Sequence, residues 1–372
     1  VTGLYSAVAA DYLTGSLRHE VTATAVLVPY APRVLDLEDI TLTFAEDWSP
    51  QIQADIVVPA GYDEDLFDML DPQKRVKILV EAGYTYPDNT TDIQPLAELY
   101  LRFRPVRRPD NTMALTASSG ESLTQDARLS PWASWVPDRA GLTEFVTWAA
   151  TYGMYPEVPE ITSPYGAGYA AADMADIPVE AGMDCWSLIS EAASRAGAWV
   201  YADGNRWIIV GRTTDAGTVQ HTLATGEGGT VFSSDAQISR EGFANSCLIT
   251  YRWKSGTTDM LRSGYAEINA GPYAPATAGR MGDATERTGP ISQAAANKAA
   301  ASRLGNLATR GRSLLLEAHA AYWLRPSHTI TVQLPTGPPE TVLVRSVTFA
   351  PLAGTMNVTT RQALNVPMKI GE

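Results

Sequence analysis

Apolar and polar residues alternate with a period of two along most of this chain, most clearly over residues 314–361. Ile330, Val332 and Leu334 interleave with Thr329, Thr331 and Gln333, the pattern of a strand with one buried face. PTGPPE (335–340) then supplies a turn, built from residues that break ladders and set tight φ angles. Val342 and Val344 resume the alternation, but Val347 and Phe349 fall on the other parity. That switch predicts a bulge near Arg345, which bends the strand as a barrel wall requires. Met356 and Val358 face one way between Asn357 and Thr359, completing the wall of a small antiparallel barrel.

The N-terminal third has the same texture. Alternation places Val21, Ala23, Ala25 and Leu27 on one face, then Ile40, Leu42 and Phe44, then Ile52, Ala54, Ile56 and Val58. Val76, Ile78 and Val80 follow, and Leu99, Leu101 and Phe103 continue the series over 96–109. Short strands at this spacing, separated by turn clusters, indicate a barrel or sandwich. Leu4, Tyr5, Val8 and Tyr12 recur at helical spacing in an arm that docks on something. Between the strand-rich parts the period changes to that of a helix, with Leu142, Phe145, Val146, Ala149 and Tyr152 ahead of Gly153. A second helix begins after Asp184, whose carboxylate can accept first-turn amides, and ends at Gly197. A hairpin on Asp203-Gly204-Asn205 follows it. Cys247, Ile249 and Tyr251 mark a further strand, 271–290 reads as a long mobile loop, and 291–311 is the strongest helix, opened by Pro290 and closed by Gly311.

The predicted class is therefore β-rich α+β, with two small antiparallel β-barrels, an inserted α/β domain and a long Ala-rich helix. The expected boundaries are an arm at 1–15, a first barrel at 16–115, the α/β domain at 116–230 and a second barrel at 231–372. The second barrel carries a loop-and-helix insertion at about 271–311.

Composition agrees: 372 residues suggest two to four domains, and 45% hydrophobic with 19% charged residues describes folded protein. No apolar run approaches the ~20 residues of a membrane helix, and the first residues lack the pattern of a secretory signal. Cys185 and Cys247 stand alone, outside any metal or redox spacing, and read as small buried hydrophobes. A net charge of −13 repels polyanions and argues against tight nucleic-acid binding; it either suits a surface past which DNA slides or only keeps a large protein soluble.

Catalytic motifs are not evident. His19, His221, His319 and His328 have no metal or triad spacing and read as surface or strand-end histidines, although His319 and His328 flank Trp323 and could share a site. Gly226, Gly228 and Gly229 lie outside any strand-to-helix phosphate loop. Asp36, Glu38 and Asp39, or Asp63, Glu64 and Asp65, could supply the two carboxyls of a carbohydrate hydrolase. Their other reading is as exposed acidic turns. Trp132, Trp135 or Tyr165 could instead serve a glycan-binding β-sandwich. Arg102, Arg104, Arg107 and Arg108 form a basic cluster in an acidic chain, either a solvated edge or a contact with an acidic neighbouring subunit.

One family resemblance joins these signals. An Ala-rich helix and a strand, then W-L-R-P-x-x-T-I-x-V (323–332), a hairpin and M-x-V-T-T-R (356–361), resemble the tail hub proteins of long-tailed bacteriophages. WSLISEAASRAGAWVYADGNRWIIV (186–210) is similar to their inserted α/β domain. The chain departs from the pattern at Ser327 and His328, where those proteins usually have Gly-Asp. The resemblance implies tube-type barrels and a structural homotrimer, two barrels per chain forming a ring. Such a ring joins the sixfold tail tube and distal tail ring to a threefold tip, and DNA passes through its channel without specific binding. The implied partners are the distal tail protein, the tape measure protein and tip, spike or fibre proteins, with no cofactor or metal. The implied place is the virion's tail tip, after synthesis in the host cytoplasm. The candidate interface residues are Arg102, Arg104, Arg107, Arg108, Trp323 and Arg325. A hexameric distal tail protein is the competing assignment within tails.

Overall fold

The structure is a computed structural model describing residues 7–13, 17–60, 64–131, 141–162, 174–204, 206–211 and 213–371. Its N-terminal part forms β1 (Arg18–Val26), β2 (Arg33–Val34), β3 (Asp39–Ala45), β4 (Ile52–Pro59), β5 (Lys77–Thr85), β6 (Thr91–Phe103), β7 (Val106–Arg107) and β8 (Thr112–Ser118). Helices α1 (Ala7–Tyr12), α2 (Glu64–Met69) and α3 (Glu121–Asp126) accompany them. The middle holds α4 (Leu142–Met154), β9 (Glu160–Thr162), α5 (Cys185–Ala196), β10 (Ala198–Asp203) and β11 (Arg206–Gly211). Then come β12 (Val219–Ala224), β13 (Val231–Ile238), β14 (Ser246–Ser255), β15 (Thr258–Ile268), α6 (Pro275–Ala278), β16 (Gly282–Thr288) and α7 (Gln293–Ala308). The chain ends with β17 (Arg312–His319), β18 (Thr329–Gln333), β19 (Glu340–Ala350), β20 (Thr355–Gln362) and β21 (Met368–Ile370).

Both strand-rich parts enter one 14-stranded sheet. Its path runs β13-β17-β20-β19-β3-β4-β8-β6-β5-β1-β2, with β18 beside β19, β12 beside β18 and β7 beside β8. Strand pairing closes neither part into a barrel among the described residues. β12 and β13, consecutive in the chain, end the C-terminal part unpaired with each other, and β3 pairs with β19 rather than with β1. The reason is visible in β19. Its register slips between Val344 and Ser346, at the predicted bulge. Before the slip the strand's open side pairs with β18, and after it with β3.

One hydrophobic core therefore spans both parts. Ala23, Ile40, Ile56 and Val80 pack in the same cluster as Leu316, Ile330, Val347 and Phe349. Ala9 and Leu13 of the arm reach that cluster too. Tyr84 ties the two parts, its phenol donating to the Ala320 carbonyl at 2.7 Å and accepting from the Tyr322 amide at 3.0 Å. A second core joins α4 and α5 to the β10–β11 hairpin through Phe145, Val146, Ile189 and Trp207. Asp184 caps α5, accepting from the Ser187 amide at 2.7 Å, and Gly197 ends it in the left-handed conformation. A third core lays α7 on β14 and β15. There the helix approaches closely: a Cβ at Gly264 would sit 2.0 Å from the Ala296 carbonyl oxygen. Both cysteines are free and buried. No helix among the described residues is long and apolar enough to cross a membrane.

Three expectations change. Phe103 is 61% exposed, because the β6–β8 register slips between Leu101 and Phe103 and turns its side chain outward. The stretch 271–290 is no open loop, since it contains α6 and all of β16, which runs parallel to β14. The strand escaped notice because its inward residues are polar: Asp283 meets Arg303 and Arg287 meets Glu191. The long helix starts at Gln293, capped by Ser292, whose hydroxyl accepts from the Ala295 amide, and it stops before Thr309 rather than at Gly311.

Candidate functional site

The bulge in β19 gathers charge into the place where the two parts of the main sheet meet. Residues at the end of β3, the 320–328 turn, β19 and β20 converge there. The Glu46 backbone amide donates to the Arg345 carbonyl at 3.1 Å. The Glu46 carboxylate accepts from Arg361 Nε at 2.5 Å and Nη2 at 3.1 Å, and from Ser327 Oγ at 3.1 Å. Arg361 Nη2 also donates to the Thr213 carbonyl at 2.7 Å. Both ionic side chains are buried, at 3% exposure each, so the pair depends on this full set of partners. Asp47 accepts from Arg310 Nη2 at 2.7 Å and from Arg345 Nε at 2.5 Å. Two carboxylates and three guanidiniums thus clamp four separated stretches of chain.

Trp323 and Arg325, named from sequence, lie at this junction. The Arg325 guanidinium sits 4.4 Å from the Phe44 ring centre and donates to the Tyr322 and Leu324 carbonyls. Trp323 is partly buried against the main core, edge-on to His221 at 5.2 Å. Ser327 has φ +67°, the left-handed region that glycine adopts without cost. This is the residue at which the chain departs from the Gly-Asp pattern, and its hydroxyl supplies the contact with Glu46.

All four histidines lie around the same turn, but not as a pair about Trp323. His19 Nδ1 is 3.1 Å from the Tyr322 hydroxyl, His319 packs on Phe232 at 4.4 Å, and His221 holds Trp323. Burial, with His319 nearby, pushes the His19 imidazole down to about 4. Burial alone does the same to His221, and burial with Arg325 beside it to His328.

The basic cluster is placed elsewhere and is divided. Arg102 is bidentate to Asp126, while Arg104 lies over the Phe67 ring and donates to its carbonyl. Arg107 and Arg108 are exposed, with no ion pair among the described residues. Asp36, Glu38 and Asp39 are exposed, as are Glu64 and Asp65 at the start of α2. Asp63, Trp132, Trp135 and Tyr165 lie outside the described residues. No group of three or more His, Cys, Asp or Glu side chains suited to a metal occurs among the described residues. Sequence reading missed Glu46, Asp47, Arg310 and Arg361. Alternation gave no signal for Arg361, which shares the polar parity of Asn357 and Thr359 and is nevertheless buried.

Two clefts border the junction. One of about 510 Å³ separates the outer face of β1, β5 and β6 from the β10–β11 hairpin, with Gln51, Glu98, Tyr201 and Arg325 on its walls. The other, about 260 Å³, opens between Trp48, α5 and α7. Behind the first, Glu121 is 1% exposed and accepts from the Gln51 amide at 3.2 Å. Its burial holds the carboxyl above the ordinary range.

No protein-family model matches the chain, and no curated protein matches its sequence. Solved structures do match the fold. A tail protein from Neisseria meningitidis MC58 superposes with a TM-score of 0.62 at 10% identity, covering 92% of this chain and 96% of that one. The chain has the fold of phage tail proteins. The 43 kDa tail protein of prophage MuSo2 from Shewanella oneidensis gives 0.60 at 11% identity, covering 91% and 98%. Prophage tail protein gp18 from Listeria monocytogenes EGD-e gives 0.55 at 10%, covering 91% and 94%.

Proposed function

We propose that this chain is a structural hub of a phage tail tip. One observation carries the reading: it shares its fold with a tail protein over nearly the whole of both chains, 92% and 96%. On this reading three copies form a ring, and each contributes the two parts of the main sheet as barrel-like units. The ring joins a sixfold tube and distal tail ring to a threefold tip and encloses the DNA channel. Its partners are the distal tail protein, the tape measure protein and tip, spike or fibre proteins. The ionic clamp at Glu46, Asp47, Arg345 and Arg361 supports the reading by fixing the two parts at one angle, as a load-carrying ring needs.

The net charge of −13 supports an acidic channel wall that does not hold DNA. Exposed Arg107 and Arg108 then serve contacts with acidic neighbours, Arg102 and Arg104 shape the same edge, and Trp323 and Arg325 brace the junction behind the ring wall. Native mass spectrometry of the purified chain is expected to show a trimer. A hexamer assigns the chain to the distal tail ring, and a monomer at every concentration refutes the ring.

A further inference from the structure

Most strands that end a sheet here are protected. β2 and β7 span two residues, and β9 and β21 three. β10 is buried along most of its length, and β12 keeps regular register only from His221 to Ala224. Two terminal strands pair in regular register over six or more residues and are unpaired on one side among the described residues. β13 pairs only with β17, in register from Ser233 to Ile238, and β16 pairs only with β14, in register along its whole length.

Neither strand carries lysine or proline, two of the residues that guard an open edge. β13 has one charge, Asp235, and leaves Phe232 54% and Ile238 77% exposed. The charges of β16 are largely engaged within the chain: Asp283 holds Arg303, Arg287 holds Glu191, and Glu286 meets Arg252 at 3.2 Å. What each edge still offers is a row of backbone N–H and C=O groups, and the chemical complement of such a row is another extended backbone.

We infer that β13 of one copy pairs with β16 of the next, so that these two edges form the seam between copies. The occupant is a second copy because each chain carries one edge of each kind, of similar length and on different units. Unlike surfaces of this kind make head-to-tail contacts, which generate rings where the rotation between copies closes. The inference rests on the ring reading above and adds the surface that builds it.

Hydrogen exchange of the full chain tests it, comparing dilute monomer with concentrated oligomer. Amides of 231–238 and 282–288 are expected to slow about tenfold or more on assembly. Ala236→Lys and Ala284→Lys change exposed side chains, so the monomer keeps its fold, and each is expected to raise the assembly concentration about tenfold. An oligomer whose two edges exchange as in the monomer, or variants that assemble at the wild-type concentration, would overturn the seam and leave the ring reading standing. A wild-type chain that stays monomeric at every concentration overturns the ring reading itself.

Discussion

Replacing Arg361 by methionine removes the cation from a carboxylate that is almost wholly out of water. Glu46 is 3% exposed and receives two of its hydrogen bonds from Arg361, at 2.5 and 3.1 Å. Ser327 cannot replace a full positive charge. Breaking a buried pair in this way costs about 3–5 kcal/mol, because the remaining charge has lost its compensation. Replacing both partners, as Glu46→Leu with Arg361→Met, restores most of that loss, since an apolar pair of similar volume needs no solvation. Arg252 and Glu286 make a control, a pair 57% and 69% exposed, where Arg252→Ala changes stability by less than ~0.5 kcal/mol. The assay is urea unfolding followed by tryptophan fluorescence, comparing midpoints of the transition that reports the main core. An Arg361→Met midpoint equal to that of Arg252→Ala would refute the reasoning, as would a double variant no better than the single.

Two further outcomes are expected. Stability should fall as pH drops from 6.5 towards 4. His19, His221 and His328 have folded values near 4, below the unfolded 6.5, so they stay neutral in the fold while the unfolded chain takes up protons. Their contribution is complete above 6.5 and amounts to at most about 3 kcal/mol each; thermal melts across this range check it, and a flat profile contradicts it. At Ser327 the left-handed backbone and the hydroxyl contact oppose each other. Ser327→Ala should therefore destabilise by about 1 kcal/mol, while Ser327→Gly should be near neutral, relieving strain as it loses the bond; equal losses in both, measured by the same urea titration, would show that the backbone conformation carries no cost.

Local rules made much of this fold legible. Period-two alternation marks strands because side chains point to opposite faces, and it placed the buried sets of β3, β4 and β19 correctly. The parity switch at Arg345 located the bulge, and Asp184 and Gly197 located both ends of α5. These signals are short-range, so the sequence itself determined them. β16 was hidden because alternation was sought in apolar residues, whereas its inward residues find charged partners from distant segments. Phe103 failed because a bulge depends on the neighbouring strand's register.

Only the tertiary structure decided that β3 pairs with β19, so that two strand-rich parts share one sheet and one core. It alone brought Glu46, Asp47, Arg310, Arg345 and Arg361 together across some 300 residues of chain. No local pattern encodes such contacts, because a buried charge is tolerable only once its distant partner has arrived.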